Sequence, residues 1–315
     1  MRALVVDHSA RNGIGLADVP EPVPADNQAL IRVEAVSVNY GEVSLAAGVV
    51  PHLNRPPTGF VLGADAAGVV ERRAADGSGP PAGARVVSLG AGGAWAERRA
   101  VNTDLLAVVP AAVDLGEVST VPVAGLTALR ALHRVGTLLG RRILVTGSTG
   151  GVGRFAIQLA RQAGAYVIAV TGDPDGQREG LTQIGAHEVV DSAGSVTEPL
   201  HGIIDMVGGD ELVAGFARLA EHGTLVAVGH AAGKPENFSY GALFGDDGGH
   251  DRSLVTFHLT GCTDLAPDLR WLAESVGRGS LDPQIAWRGK LDEADQAFSA
   301  LLNRTLSGKA VIDIV

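Results

Sequence analysis

The sequence predicts an α/β protein that combines a doubly wound parallel sheet with a second, β-rich domain. From Arg142 onward, short aliphatic strands alternate with amphipathic helical segments, which is the rhythm of a parallel α/β sheet. Before residue 117 the chain has short strands separated by clusters of Pro and Gly, a pattern typical of a compact β-barrel-like domain. At 315 residues the chain is also too long for one typical hydrophobic core.

Each element follows from its local pattern. In the β-rich part we expect strands at 4–6, 29–36, 68–71 and 85–89, and then helical segments at 115–120 and 127–135. In the parallel sheet we expect strands at 143–146, 166–170, 188–190, 203–206, 224–228 and 254–258, with helices between the first five. Helices at 267–276 and 291–302 and a closing strand at 308–315 complete the prediction.

Composition narrows the class of protein. A hydrophobic content of 46% predicts a packed globular chain. Its apolar runs are too short to span a bilayer, and Met1 to Asp7 resembles a strand more than a signal peptide, so we expect a cytoplasmic protein without membrane partners. The net charge of −10 argues against general nucleic-acid binding. A single cysteine, Cys262, excludes an intrachain disulfide and a Cys-based structural zinc site.

The stretch from Arg142 to Ala169 carries the clearest functional motif. An aliphatic strand leads into a glycine-rich turn at 147–153, an amphipathic helix that ends at Gly164, and a second strand. Ser148, Gly150 and Gly153 stand at the three glycine positions of the dinucleotide fingerprint G-x-G-x-x-G. Such a turn aims backbone N–H groups at a phosphate, whereas the alternative is a turn that only joins strand to helix. The predicted cofactor contacts here are Ser148, Thr149, Gly150, Gly151, Val152 and Gly153.

The order of motifs along the chain resembles the medium-chain dehydrogenase/reductase superfamily, and within it the zinc-free quinone oxidoreductase (zeta-crystallin-like) and enoyl reductase branch. The segments that carry the resemblance are 33–39, 63–70, 123–128, 203–209, 223–229 and 308–311. The resemblance implies a GroES-like domain made of residues 1–117 and 263–315. A Rossmann domain, residues 118–262, is expected to be inserted into it, with the active site in the cleft between them. It also implies a homodimer through the edge strand near 254–259.

The resemblance further implies a site without metal. Zinc-containing relatives carry a cysteine where this chain has Asn39, and four more cysteines for a structural zinc. Without a Lewis acid, alcohol oxidation is poorly supported, because the alkoxide lacks a cation to stabilise it. We therefore expect hydride delivery to an acceptor that is already electrophilic, such as a quinone or an activated alkene. The nine histidines show no metal-binding spacing with a glutamate.

The end of the second strand of the parallel sheet bears on the choice of nicotinamide cofactor. NAD-binding sheets usually place Asp or Glu there, whereas this chain has Thr171 and Gly172. Arg178 is suited to hold a 2′-phosphate by a bidentate fork, although Asp173 stands where related NADPH users have serine. The alternative for Arg178 is a solvated helix start. These residues favour NADPH and leave NADH open.

Further cofactor contacts follow from the resemblance. Thr127 is expected near the nicotinamide, with a helix N-terminal cap as the alternative. Gly229 and His230, after the fifth strand, are expected to contact the cofactor as well. The predicted substrate contacts are aromatic, because a flat conjugated acceptor stacks on rings; they are Tyr240, Phe244 and Phe257, and the alternative for this stretch is a surface loop.

The predicted catalytic residues are Asn39, Tyr40 and Ser44, in the segment that lines the cleft of the family. Hydride transfer to an enone creates an enolate, which a hydroxyl or amide donor stabilises. Tyr40 replaces the proline of the family, and it can either donate or simply pack. The sequence thus predicts an NADPH-dependent reductase of quinones or α,β-unsaturated ketones. A non-catalytic NADPH-binding sensor or structural protein and a zinc alcohol dehydrogenase are the alternatives, and the acceptor and the proton donor stay open.

Overall fold

A computed structural model describes residues 1–50, 54–245 and 248–314 of the chain. It forms two compact units. The first contains Met1–Leu126 and Cys262–Val315, and the second contains Thr127–Gly261. The first change of unit comes later than the predicted boundary at 117–118, because the helical turns between 115 and 125 pack on strands of the first unit. The predicted domain limits themselves stay a prediction.

The N-terminal part of the chain is rich in strands, as the sequence predicts. Its elements are β1 (Arg2–Val6), β2 (Ile14–Asp18), β3 (Gln28–Val38), α1 (Tyr40–Ala47), β4 (Asp65–Arg72), β5 (Arg85–Ser88), β6 (Arg98–Asn102), β7 (Leu106–Val108) and α2 (Leu115–Ser119). A short π-helix, Val121–Gly125, follows α2 and runs directly into the next helix. The strands β2, β6 and β7 were not expected from the sequence: charged or small residues interrupt the apolar pattern of β2 and β6, and β7 has only three residues.

The middle of the chain alternates strands and helices. Its elements are α3 (Leu126–Val135), β8 (Arg142–Val145), α4 (Gly151–Gln162), β9 (Tyr166–Val170), α5 (Pro174–Gln183), β10 (Glu188–Val190), β11 (Leu200–Asp205), α6 (Gly209–Ala217), β12 (Leu219–Ala227) and β13 (Ser253–Thr256). The remaining elements are α7 (Leu265–Gly277), β14 (Ile285–Lys290), α8 (Ala294–Leu302) and β15 (Lys309–Asp313). No helix among the described residues is long and apolar enough to cross a membrane.

The first unit is built on a seven-stranded sheet in the order β14-β15-β3-β4-β5-β7, with β6 paired to β3. The long strand β3 is the centre of this sheet, because it pairs with β15, β4 and β6 along different parts of its length. The core on one side stacks the rings of Trp95 and Phe298, whose centroids lie 5.4 Å apart. The closing strand β15 pairs antiparallel with the end of β3, from Ala35 to Val38.

The second unit contains a six-stranded parallel sheet in the order β10-β9-β8-β11-β12-β13. Strand order reverses between β8 and β11, which is the switch point where such sheets bind ligands. Leu144, Ile168, Ile203 and Leu225 from neighbouring strands are buried together in its core. The predicted fold class, a Rossmann sheet together with a GroES-like domain, is confirmed.

One prediction for this sheet is wrong. We expected a helix between the strands at 188–190 and 203–206, and the structure has only the 3-10 turn Ala193–Ser195 there. Side chains satisfy the backbone donors of this short turn: Ser192 accepts from the N–H of Gly194, and Glu211 accepts from the N–H of Ala193. A full helix is therefore not needed to pair these groups.

Candidate functional site

The loop after β8 lies at the carboxyl edge of the parallel sheet, as expected for a phosphate-binding turn. Gly147 has a φ of 58°, which favours glycine. The buried hydroxyl of Ser148 donates to the carbonyl of Val145 at 2.7 Å, so it fixes the loop to the end of its own strand. Gly150 is the N-cap of α4, and Gly151, Val152 and Gly153 form the first turn of that helix. The loop therefore presents a helix N-terminus with its backbone donors, which suits an anion.

Two glycines of the loop are in close contact. A Cβ on Gly153 would lie 2.5 Å from the carbonyl oxygen of Gly147 and 2.8 Å from the Cα of Ser148. These are backbone atoms that cannot move aside cheaply. Gly153 is therefore required for the tight turn, which is the role of the third glycine in a dinucleotide fingerprint. Thr149 completes the loop, and its carbonyl accepts a 3.1 Å hydrogen bond from Nε of Arg154.

The end of β9 carries the residues expected to select the cofactor. Thr171 accepts a hydrogen bond from the N–H of Asp173, and Gly172 has open space around its Cα. Asp173 is the N-cap of α5 and accepts from the N–H of Gly176 at 3.1 Å. Asp173 is therefore explained by its role as a helix cap, and the sequence Asp-Pro is typical of a helix start.

Arg178 lies in the second turn of α5, beyond its cap. Its guanidinium donates to the carbonyl of Val189 at 3.2 Å and lies 3.6 Å from the carboxylate of Asp175. The side chain is 55% exposed, so these contacts leave it accessible to a ligand. Its predicted role at a 2′-phosphate remains a prediction.

The carboxyl end of β11 adds a residue that the sequence analysis missed. Asp205 is fully buried and accepts hydrogen bonds from the hydroxyl of Thr146 at 2.6 Å and the N–H of Gly208 at 2.9 Å. Burial raises the pKa of Asp205, and these hydrogen bonds oppose that rise. Because Thr146 directly follows β8 and Asp205 is the last residue of β11, their hydrogen bond joins the ends of the two strands at the switch point. Its position in the strand end Ile-Ile-Asp is a signal that could have identified it.

Gly229 and His230 follow β12 at the same edge. The N–H of Gly229 donates to the carbonyl of Asp205, and a Cβ on Gly229 would lie 2.9 Å from the carbonyl oxygen of Met206. His230 is half-exposed, with Nδ1 3.0 Å from a carboxylate oxygen of Glu236. The structure thus brings the predicted residues of 148–153, 171–172 and 229–230 to the carboxyl ends of β8, β9 and β12, at one edge of the sheet.

The other predicted contacts of the second unit differ in exposure. Thr127 is buried and lies inside the continuous helical segment formed by the π-helix and α3. It is therefore not a helix cap. Tyr240 is fully exposed and Phe244 is 74% exposed in the loop after β12, whereas Phe257 is partly buried beside the end of β13. Asp246 and Asp247 of this loop lie outside the described residues.

The predicted catalytic residues lie in the first unit, at the start of α1 directly after β3. Asn39 is the N-cap of α1, and its backbone N–H donates to the carboxylate of Glu42 at 2.9 Å. The side-chain Nδ2 of Asn39 donates to Glu42 at 3.1 Å and to Asp65 at 2.9 Å. Its Oδ1 accepts from Lys309 at 2.6 Å. The amide of Asn39 is thus engaged on both sides by protein groups.

Tyr40 and Ser44 are also engaged locally. The guanidinium carbon of Arg304 lies 5.5 Å from the centroid of the Tyr40 ring, a cation–π contact that supports the packing alternative for this tyrosine. Ser44 is buried, and its hydroxyl donates to the carbonyl of Gly41 at 3.1 Å. The catalytic roles of Asn39, Tyr40 and Ser44 remain predictions.

The cluster around Asn39 contains shifted acids and bases. Burial and the neighbouring Asp65 carboxylate raise the pKa of Glu42 to about 7. Burial also raises the pKa of Asp65 and lowers the pKa of Lys309, while the attraction between the two charges opposes both changes. Arg99 is buried close by, and burial lowers its pKa to about 10. The sequence analysis singled out neither Glu42 nor Lys309: Lys309 is 270 positions from Asn39, whereas the spacing of Asn39 and Glu42 in a capping box is a local signal that could have identified Glu42.

Two family models match the chain. The alcohol dehydrogenase GroES-like domain matches residues 25–111, and the zinc-binding dehydrogenase model matches residues 151–273. Among solved structures, mycobacterial Rv1454c complexed with NADPH is similar over 100% of both chains, at 25% identity and a TM-score of 0.86.

Curated relatives fall into two groups. The highly reducing polyketide synthase apmlA of Arthrinium phaeospermum is 32% identical over 252 residues, which is 71% of this chain and 10% of the synthase. The chain therefore spans about a tenth of that relative. The quinone oxidoreductase of Mus musculus is 30% identical over 227 residues, which is 68% of this chain and 68% of that protein. The chain belongs to the medium-chain dehydrogenase/reductase superfamily, in its quinone oxidoreductase branch.

Proposed function

We propose that the protein is a zinc-independent, NADPH-dependent oxidoreductase that reduces a quinone or the C=C bond of an α,β-unsaturated ketone. The observation that carries this proposal is the loop at 147–153, whose close glycine contact and helix N-terminus fit a dinucleotide pyrophosphate. The quinone oxidoreductase relative and the NADPH complex of a similar structure support the same choice.

Each group of predicted site residues has a proposed role in binding the cofactor or the acceptor. When bound, the nicotinamide supplies a hydride to the acceptor. The loop at 148–153 binds the pyrophosphate, Thr171, Gly172 and Arg178 receive the adenosine ribose and its phosphate, and Gly229 and His230 flank the cofactor. Thr127 orients its nicotinamide end. Tyr240, Phe244 and Phe257 offer ring surfaces for a flat acceptor, while Asn39, Tyr40 and Ser44 are the proposed wall of the reaction site.

The proposal of metal independence rests on the residue types of the first unit. Asn39 takes the position of a metal-binding cysteine, and its amide is fully engaged with Glu42, Asp65 and Lys309. An amide in that position is a poor ligand for zinc, which prefers thiolate and imidazole. Elemental analysis of the purified protein with zinc at one equivalent would contradict this part of the proposal.

The choice between quinone and enone follows the two groups of relatives. Similarity to quinone oxidoreductases supports a quinone acceptor. Similarity to a segment of a highly reducing polyketide synthase supports reduction of a conjugated C=C bond. Oxidation of NADPH, followed by its absorbance with matched panels of quinones and enones, separates the two acceptor classes. Binding of NADPH without turnover of any acceptor would instead support the non-catalytic alternative.

The proposed assembly is a cytoplasmic homodimer. Strand β13 is the last strand of its sheet, and Leu254 on it is partly exposed. An exposed edge with apolar side chains is a site where a second strand can pair. Light scattering of the purified protein should give twice the 32.2 kDa mass of one chain, and a monomer would contradict the dimer.

A further inference from the structure

A buried ammonium group lies at the start of β15. Lys309 is only 3% exposed. Its Nζ donates to Oδ1 of Asn39 at 2.6 Å and to the carbonyl of Val38 at 3.3 Å, and it lies 3.8 Å from the Asp65 carboxylate. A buried charge is costly unless it is paired and hydrogen-bonded, and this one is both. Lys309 therefore connects the closing strand to the residue that caps α1.

Asp65, at the start of β4, is the second centre of this cluster. Its Oδ2 accepts from the Ser37 hydroxyl at 2.7 Å and from Nδ2 of Asn39 at 2.9 Å. Its Oδ1 accepts from the N–H of Val123 at 2.9 Å. Val123 lies in the π-helix 121–125, a type of helix found frequently at functional sites. One carboxylate thus holds both the start of α1 and the helical turn that leads to Thr127.

These contacts fix the orientation of the Asn39 amide. Its oxygen must face the ammonium, so its two N–H groups must face the carboxylates of Glu42 and Asp65. Without Lys309 the carboxylates would still attract the N–H groups, but the amide oxygen would lose its donor and the two carboxylates would lose a neighbouring cation. Arg99, which donates to the carbonyl of Ala64, does not contact the Asn39 amide in this structure.

We infer that Lys309 and Asp65 are positioning residues that set the Asn39 amide and hold α1, the proposed wall of the reaction site, in one geometry. The inference rests on the proposed function for its kinetic consequence. It assigns a role to the closing strand β15, which begins at Lys309.

The test compares Lys309→Met with Lys309→Arg and with the double variant Lys309→Met/Asp65→Asn. The double variant removes both charges, and a neutral pair of this kind is often tolerated in a core. For Lys309→Met and the double variant we expect kcat/KM for the acceptor to fall by roughly 10- to 100-fold. The Kd of NADPH should stay within about twofold, and Lys309→Arg should recover part of the loss.

Lys290→Met is the matched control, because Lys290 is an exposed lysine on β14 of the same unit, and its kinetics should equal those of the wild type. Hydrogen–deuterium exchange gives a readout that needs no acceptor. Lys309→Met should increase exchange in residues 39–48 and leave α4 unchanged. Wild-type kcat/KM in a folded double variant, or unchanged exchange at 39–48 in Lys309→Met, would overturn the inference. Absence of turnover by the wild-type protein would overturn the proposed function alone.

Discussion

The side-chain oxygen of Asn39 accepts a 2.6 Å hydrogen bond from Lys309, a residue 270 positions later in the chain. Together with the two hydrogen bonds that Nδ2 of Asn39 donates to Glu42 and Asp65, this contact sets the orientation of the amide. It also gives Asn39 a structural role at the start of α1. The contact connects β3 to β15, which also pair as neighbouring antiparallel strands.

Gly153→Ala should weaken NADPH binding by roughly tenfold or more, because the added methyl group meets the backbone of Gly147 and Ser148 and opens the loop. Titration calorimetry with NADPH measures this. Gly180→Ala is the control, since Gly180 lies in α5 with open space around its Cα. It should stabilise the fold by about 0.5–1 kcal/mol and leave the affinity unchanged. Equal affinities of the two variants would contradict the assigned pyrophosphate loop.

Arg178→Ala should reduce the proposed preference for NADPH over NADH by roughly tenfold, because the charged fork proposed to receive the 2′-phosphate is lost. The ratio of the two dissociation constants is the quantity to measure. Arg218→Ala serves for comparison: Arg218 is also exposed in the second unit and also donates to a backbone carbonyl, that of Gly194. If both substitutions leave the ratio as it is, Arg178 does not contact the phosphate.

Glu42→Gln should flatten part of the pH dependence of the free energy of unfolding. Burial and Asp65 raise the pKa of Glu42 from 4.5 to about 7, so between these values the folded state binds more protons than the unfolded state. The contribution of Glu42 to stability therefore falls as pH rises through this window and is constant above it. We expect the wild type to lose about 1–3 kcal/mol relative to the variant between pH 4.5 and 8.

Urea unfolding at several pH values tests this. Glu293→Gln is a suitable control, because Glu293 also accepts from the backbone N–H three residues earlier, that of Lys290, but is exposed. Parallel pH curves for wild type and Glu42→Gln would show that Glu42 does not take up a proton in this range.

Asp205→Ala should destabilise the second unit by about 1–3 kcal/mol, since it leaves the Thr146 hydroxyl and the Gly208 N–H without their buried acceptor. Asp205→Asn keeps one acceptor oxygen and should lose less. Thermal unfolding of the three proteins gives the order directly. A stability of Asp205→Ala equal to that of the wild type would show that water replaces the carboxylate.

Local patterns were sufficient for most of the parallel sheet. The strand at 143–146, the glycine-rich turn and α4 were predicted because the pattern of each lies within a short, continuous stretch of chain. The helix that we predicted between β10 and β11 is absent. Ser192 and Glu211 instead accept hydrogen bonds from the backbone N–H groups of a short turn, and the contact with Glu211 is not visible in a local sequence pattern.

The sequence by itself determined the fold class and the glycine-rich loop before α4, because strand periodicity, glycine geometry and helix capping act between neighbouring residues. Only the tertiary structure decided what surrounds Asn39. Asp65 and Lys309 reach it through the pairing of β3 with β4 and β15, and no local pattern encodes which buried charges meet across a sheet. The physical reason is that burial and pairing, which shift the pKa of Glu42 and orient the amide, depend on contacts between residues far apart in the chain.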